Sequence, residues 1–291
     1  MEASLGPSCV CSWAKGRDGR DTVSKGKERI DVLILKNGLA TSREKAKAMV
    51  MAGNVFVGGQ RVDKPGTELP EDVIIEMKGQ SLPFVSRGGL KLAKAVEAFS
   101  LQFKDKVVAD IGSSTGGFTD CVLQNGAKRV YAVDVGYGQL DWKLRTDPRV
   151  VSMERVNARY LTKDSLPEQV DWIVSDVAFI SITKIFSAML AILKEDGHVL
   201  SLIKPQFEAG REHVGKKGVV KDSAVHKQVL EFVLGQAESV GFHVLGLDYS
   251  PIRGPEGNIE YLAWLGLQEG SQIDWHLELE RVVRNAQKET D

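Results

Sequence analysis

The sequence predicts an α/β protein: a mainly parallel sheet with helices, preceded by a small α+β module. Three observations carry this. From Lys106 onward, short β-rich runs alternate with longer helical stretches, as in successive βα units. The first of those runs empties into a glycine-bearing turn that opens a helix, Asp110-Ile-Gly-Ser-Ser-Thr-Gly-Gly-Phe118. Residues 28–81 show a different pattern, two short helices and a hairpin, with a charge balance of their own. A chain of 291 residues, 43% hydrophobic and 26% charged, is ordinary for a globular protein of roughly two domains.

In chain order, residues 1–27 have neither period 2 nor period 3.6 and read as a disordered extension, without the basic start and apolar run of a secretory signal. Cys9 and Cys11 are too few ligands for a metal hook. Arg29 to Leu35 predicts a short helix ending near Gly38. Thr41 to Glu44 has capping-box spacing and opens a second helix, Ser42 to Met51, closed by Gly53. Val55–Val57 and Arg61-Val62 flank Gly58-Gly59, a two-residue hairpin turn, and Val73–Ile75 is a further strand. Residues 82–85, Leu-Pro-Phe-Val, form an ordered linker, and a helix runs from Gly89 to Phe99 with Leu92, Val96 and Phe99 on one stripe.

Strands are expected at Val107–Ile111, Val130–Val135, Trp172–Ser175, Val199–Ile203, His243–Leu247 and Ile259–Leu265, the last two as an antiparallel pair at the sheet edge. Cys121 reads as a small buried hydrophobe. Residues 208–222, with Arg211, Lys216, Lys217 and Lys221 among glycines, read as a mobile basic loop, either closing on RNA or simply solvated. Residues 268–291 form a helical tail whose packed positions are expected at Ile273, Leu277, Leu279 and Val283.

The longest nearly apolar stretch, Ile185 to Leu193, is far below the roughly 18 residues of a membrane span. Three cysteines do not make a disulfide scaffold, and with no signal they favour a cytoplasmic location. The formal net charge of -1 conceals an asymmetry. Between Ser24 and Lys64 there are nine Lys/Arg and four acids, a net of +5. Arg43, Lys45 and Lys47 crowd a helix start, where cations oppose the dipole; a phosphate backbone explains them, as does a plain solvated face.

The turn after Asp110 is neither G-x-G-x-x-G nor a G-K-[ST] loop, which weakens dinucleotide and P-loop readings. An acid before the turn and Asp134 at the end of the next strand suit a cofactor with a ribose diol and a sulfonium, S-adenosylmethionine; a packing turn is the alternative. Asp176 and Lys204 each end a strand, at the carboxyl edge where open α/β sheets bind ligands. Lys91 lies beside an apolar stripe, and Glu260 enters the last strand, an awkward place for an unpartnered carboxylate. No His/Cys/carboxylate cluster suggests a metal.

The pattern Arg29-x-Asp-x-Leu…Ser42-Arg-x-x-Ala46…Gly53-x-Val55-x-Val57-x-Gly59 resembles the S-four-like RNA-binding domain. With Ser86 to Leu92, Asp110 to Phe118, Asp134 to Gly138, Ser175 to Ile180, Lys204 to Glu208 and Gly254 to Glu260, residues 28–267 are similar to the TlyA family. That resemblance implies a Rossmann-like methyltransferase domain of the FtsJ type with a seven-stranded mixed sheet, over residues 86–267, behind the RNA-binding domain. It places a Lys-Asp-Lys-Glu tetrad on Lys91, Asp176, Lys204 and Glu260; a neutral amine at Lys204 could take a ribose hydroxyl proton, so Lys204 is read as the base with Asp176 orienting it. It implies a cofactor set of Asp110, Gly112, Ser113, Ser114, Gly116, Gly117, Phe118, Asp134 and Asn157. The RNA-binding set is Arg43, Lys45, Lys47, Arg61 and Arg87. The implied activity is S-adenosylmethionine-dependent 2′-O-methylation of cytidine ribose in ribosomal RNA, by a monomer acting on rRNA or ribosomal subunits. A membrane-active hemolysin, which the family's older name suggests, would need a span or pore segment. A catalytically inactive ribosome-assembly factor is the other rival. A base methyltransferase would want an N-P-P-[YF]-type pocket where this chain has Asp176-Val-Ala-Phe179.

Overall fold

The computed structural model describes residues 26–40, 42–51, 53–77, 83–268 and 272–289. Most of the N-terminal extension, its two cysteines and the cap residue Thr41 lie outside them. The chain divides into two compact units, Met1–Ser81 and Leu82–Asp291.

In the first unit, β1 (Lys27–Arg29) leads into α1 (Ile30–Lys36), and α2 (Arg43–Met51) follows. Then come β2 (Val55–Val57), β3 (Gln60–Arg61), β4 (Glu68–Pro70) and β5 (Ile75–Met77). β1 pairs antiparallel with β4, and β3-β2-β5 form a second small sheet. Gly58 and Gly59 both have positive φ, 56° and 78°, the left-handed pair that a tight hairpin demands. Ile30, Ile34, Ala46, Val50 and Val55 make the core. The sequence reading starts α1 at Arg29, which instead closes β1, and places the last strand two residues early.

The second unit opens with α3 (Gly88–Phe99), β6 (Val107–Ile111), α4 (Gly117–Gln124), β7 (Arg129–Asp134), α5 (Trp142–Arg145), β8 (Val150–Glu154) and β9 (Val170–Ser175). It continues with α6 (Phe186–Ile192), β10 (Leu193–Ile203), α7 (Pro205–Glu208), α8 (Ser223–Ser239), β11 (His243–Tyr249), β12 (Tyr261–Gly266) and α9 (Trp275–Glu289). The seven strands order as β11-β12-β10-β9-β6-β7-β8. β12 runs antiparallel to both neighbours, and the others are parallel. This is the predicted mixed α/β sheet.

Strand side chains alternate between two cores. Val107, Ala109 and Ile111 join one with α6, α8 and α9, whereas Val108 joins the other with α3 and α4. Cys121 is buried in the latter, where burial pushes its thiol up to about 12, so it packs and does not react. Phe84 packs on the same core, and Val85 N donates to Asp120 Oδ2 at 2.9 Å, so the linker's end is fastened to this unit. The tail helix α9 buries Trp275, Leu279, Val282, Val283 and Ala286, but Leu277 is exposed, contrary to expectation. The apolar face begins at Trp275 and runs in steps of three and four, which leaves position 277 on the far side.

Residues 208–222, expected as a mobile basic loop, carry hydrogen bonds to the rest of the unit. Asn258 Nδ2 donates to Gly218 O at 2.8 Å, Val220 N donates to Asn258 Oδ1 at 3.2 Å, and His226 Nε2 lies 2.9 Å from Val220 O. Gly215 N donates to Val219 O, closing the loop on itself.

Candidate active site

Strand order reverses between β6 and β9, and the crevice at the carboxyl ends of such strands is where open α/β sheets place ligands. Asp176 N donates to Ile111 O at 3.1 Å, joining the two strand ends. Gly112 has φ +84°, and a Cβ there would stand 2.8 Å from Asp176 O, so only glycine turns the chain at this junction.

Four charged side chains from four elements meet at this edge. Lys91 comes from α3, Asp176 follows β9, Lys204 follows β10, and Glu260 precedes β12. Lys204 Nζ lies 2.5 Å from Asp176 Oδ1, Lys91 Nζ 3.4 Å from Asp176 Oδ2, and Lys91 Nζ 2.6 Å from Glu260 Oε2. The order is Lys204–Asp176–Lys91–Glu260, and both lysines and Glu260 are buried. Burial alone would push Lys91 down, but Asp176 and Glu260 together outweigh it and hold its pKa above the ordinary lysine value. Asp176 Oδ1 and both Glu260 oxygens are buried without a hydrogen bond of good geometry, so the ion pairs leave acceptor capacity unused.

Two adjoining clefts share Gly112, Ser114, Asp176 and Ala178. The tetrad cleft, about 400 Å³, is walled by Ser86, Arg87, Lys91, Asp176, Lys204 and the loop through Phe118. The other, about 390 Å³, is lined by Val133, Asp134, Asn157, Ala158 and Val177, an apolar slot with two polar ends. Asp134 accepts from Ser114 N at 2.8 Å and Gly136 N at 2.7 Å. Asn157 caps a short 3₁₀ turn through Arg159 N. Ser113 and Ser114 lie on the glycine loop between them.

Asp110 does not line either cleft. It is fully buried, with Oδ2 accepting from Thr119 N at 2.9 Å and Thr119 Oγ1 at 2.6 Å, so it ties β6 to α4. Burial pushes its pKa up to about 7, against the opposing effect of Thr119. Gly116 and Gly117 make room for protein: a Cβ on the first would meet Leu144 Cδ1 at 2.2 Å, and on the second Ser86 Oγ at 2.3 Å. The packing alternative therefore holds for these two, although Gly117 also borders the tetrad cleft.

The basic candidates in the first unit divide. Asp31, fully buried, accepts from Arg29 Nε at 3.0 Å and from Arg43 Nε at 3.2 Å. Those bonds, Arg29's first, hold its carboxyl below the usual range. Arg43 thus has a structural reason that the dipole argument overlooked. Arg61 pairs with Asp63 and lies across Gly53. Lys45 is exposed and Lys47 half-buried, on α2. Arg87 belongs to the other unit, at the mouth of the tetrad cleft. Sequence reasoning missed Gln139, which accepts from Ser114 Oγ at 3.2 Å, and Arg253, which lines the tetrad cleft. Arg253 carried a signal, since it directly precedes Gly254 to Glu260. Among the described residues no group of three His, Cys, Asp or Glu could hold a metal ion, and no helix is long and apolar enough to cross a membrane.

Residues 84–267 match the FtsJ-like methyltransferase family, and residues 28–75 match the S4 domain. The chain is 41% identical over 241 residues to the Mycobacterium tuberculosis 16S/23S rRNA (cytidine-2′-O)-methyltransferase TlyA, covering 82% of this chain and 90% of that one. It is 43% identical over 236 residues to hemolysin A of Brachyspira hyodysenteriae, covering 81% and 98%. A solved structure from Streptococcus thermophilus, described as a candidate hemolysin, superposes with a TM-score of 0.73 at 50% identity, covering 90% of this chain and 96% of that one. The protein is a methyltransferase of the FtsJ-like family that carries an S4 domain ahead of its methyltransferase unit.

Proposed function

We propose that the chain transfers a methyl group from S-adenosylmethionine to the 2′-hydroxyl of a cytidine ribose in ribosomal RNA, a cytoplasmic reaction. The observation that carries this is Asp176: it lies on the wall shared by the two clefts and holds Lys204 and Lys91 on its two oxygens. The slot beside Asp134 fits the cofactor, with a carboxylate for a ribose diol and apolar walls for an adenine. When bound, the cofactor supplies an electrophilic methyl. A ribose hydroxyl is a poor nucleophile until its proton is accepted.

Lys91, held by two carboxylates, serves as the permanent cation, and Lys204, which meets one carboxylate oxygen, is the amine assigned as the base. Lys204 Nζ accepts the 2′-hydroxyl proton, and Asp176 Oδ1 orients that nitrogen and steadies the ammonium that results. Lys91 and Glu260 hold the ribose, and keeping its 2′-oxygen at near-attack geometry would supply much of the acceleration of a methyl transfer that leaves S-adenosylhomocysteine. The S4 domain and the rRNA specificity named for the TlyA relative support RNA as the acceptor. Mass spectrometry of rRNA incubated with the protein and labelled S-adenosylmethionine tests the reading. Wild type places a 2′-O-methyl on cytidine and Lys204→Ala does not, while both bind the cofactor. Methyl transfer retained by Lys204→Ala would overturn the assignment.

A further inference from the structure

A second basic surface lies outside the tetrad cleft. A pocket of about 990 Å³ is walled by the segment from His213 to Asp222, by Arg253 to Gly257, and by Ile259 and Gln287. Lys216, Lys217, Lys221 and Arg253 face it, against two acids, Asp222 and Glu256. Asp222 is committed to capping α8, accepting from Ala224 N at 2.9 Å. Among the described residues, neither Lys216, Lys217 nor Lys221 forms an ion pair. Three lysines within six positions gather like charges, and among the described residues no ion pair neutralises them. The loop is nevertheless built, because Asn258 and His226 fasten Gly218 and Val220 to the base of β12.

Arg253 lines both this pocket and the tetrad cleft. Arg253 Nη1 donates to Gly257 O at 2.9 Å, which fixes its guanidinium. Its neighbour Gly254 is so close to the tetrad that a Cβ there would lie 2.3 Å from Glu260 Oε1. We propose that this pocket binds the phosphodiester backbone of the RNA strand whose ribose sits at the tetrad, the strand leaving the cleft past Arg253 and running along Lys216, Lys217 and Lys221. This rests on the ribose-methylation reading above. Lysines spread along a loop suit a polymer with one charge per nucleotide, where a compact anion would need them convergent.

The test is binding of the full chain to an unmethylated rRNA fragment containing the cytidine that the protein methylates, measured across a salt series. Lys216→Glu/Lys217→Glu/Lys221→Glu is compared with Lys104→Glu/Lys128→Glu/Lys163→Glu, exposed lysines outside the pocket that change net charge equally. Each released contact on a single strand contributes about 0.7 to the slope of log K against log salt. The pocket variant is expected to lose at least tenfold in affinity relative to the control variant and to lower the slope by about 2. Unchanged S-adenosylmethionine affinity shows that both variants are folded. Affinity and slope equal to those of the control variant would overturn the proposal. If the unmodified protein places no 2′-O-methyl on the same RNA, the functional reading falls, and this one with it.

Discussion

Lys91 Nζ lies 2.6 Å from Glu260 Oε2, and the carboxylate it meets is fully buried. Removing one member of a buried pair strands the other, at roughly 3–5 kcal/mol. Lys91→Met should therefore lower the unfolding free energy by about that amount in urea titration. Lys91→Met/Glu260→Leu should recover most of it, since an apolar pair of similar volume leaves no buried charge, while methyl transfer stays absent. An unshifted midpoint for Lys91→Met would remove the pair from the stability of the fold.

Lys204 touches one carboxylate oxygen, and its proposed task is to lose and regain a proton. Lys204→Arg keeps a cation able to pair with Asp176, but a guanidinium does not deprotonate in proteins. Methyl transfer should fall by about 10²–10⁴-fold, the usual contribution of a positioned base. Cofactor affinity, measured by calorimetry, should stay at the wild-type value. A rate within a few-fold of wild type would mean that Lys204 acts by charge alone.

Asp110 gives stability an unusual pH dependence. Its folded pKa is raised to about 7 by burial, above the ordinary aspartate value in the unfolded chain. Between those values the folded state holds a proton that the unfolded state has released, so this group's contribution falls as pH rises from about 4 to about 7. Asp110→Asn keeps an acceptor for Thr119 and removes the titration. The wild type should lose about 2 kcal/mol more than the variant between pH 5 and pH 8 in denaturant titrations. Equal pH profiles would show that Asp110 does not titrate in this range.

That same residue shows where sequence legibility stops. The βα alternation, the antiparallel last pair and the strand-end positions of Asp176 and Lys204 are all readable, because burial dictates apolar runs and topology puts their ends on one edge. Asp110 also ends an apolar run, yet it faces Thr119, and one-dimensional spacing cannot separate an acid that meets a ligand from one that meets a helix start. β8, Val150–Glu154, was not legible because it is an edge strand in which no side chain is fully buried, so it carries no clear apolar run. β10 begins at Leu193, earlier than expected, since a register shift between Leu193 and His198 carries the polar Lys194-Glu-Asp196 through the strand. The Lys91–Glu260 contact joins the first and last parts of the domain and follows only from the closed sheet.

Asp134 accepts from two backbone amides, Ser114 N on one oxygen and Gly136 N on the other, which holds the walls of the slot and leaves each oxygen a lone pair for a ribose diol. Hydrogen bonds to a charged acceptor contribute about 1.5–3 kcal/mol. Asp134→Ala should weaken S-adenosylmethionine binding by about 10–100-fold in calorimetry, and Asp134→Asn, which keeps one acceptor oxygen, by less. Wild-type affinity in Asp134→Ala would move the cofactor out of this slot.

Gly254 offers a way to move one member of the tetrad without touching its chemistry. Its backbone is not in the left-handed region, so alanine brings no dihedral strain; the obstacle is space, with the new Cβ 2.3 Å from Glu260 Oε1. Glu260 is fully buried and must withdraw, taking its carboxylate away from Lys91. Misplacement by about 1 Å at a reacting centre can cost 10²-fold, so Gly254→Ala should lower kcat by that order while cofactor affinity, set at the other cleft, is unchanged. Glu260→Asp already draws the acid back by one methylene and removes the clash. Adding Gly254→Ala to Glu260→Asp should therefore cost little more, a non-additive pair in a double-mutant cycle on kcat. The same fold-loss in both backgrounds would show that Gly254 acts on something other than Glu260.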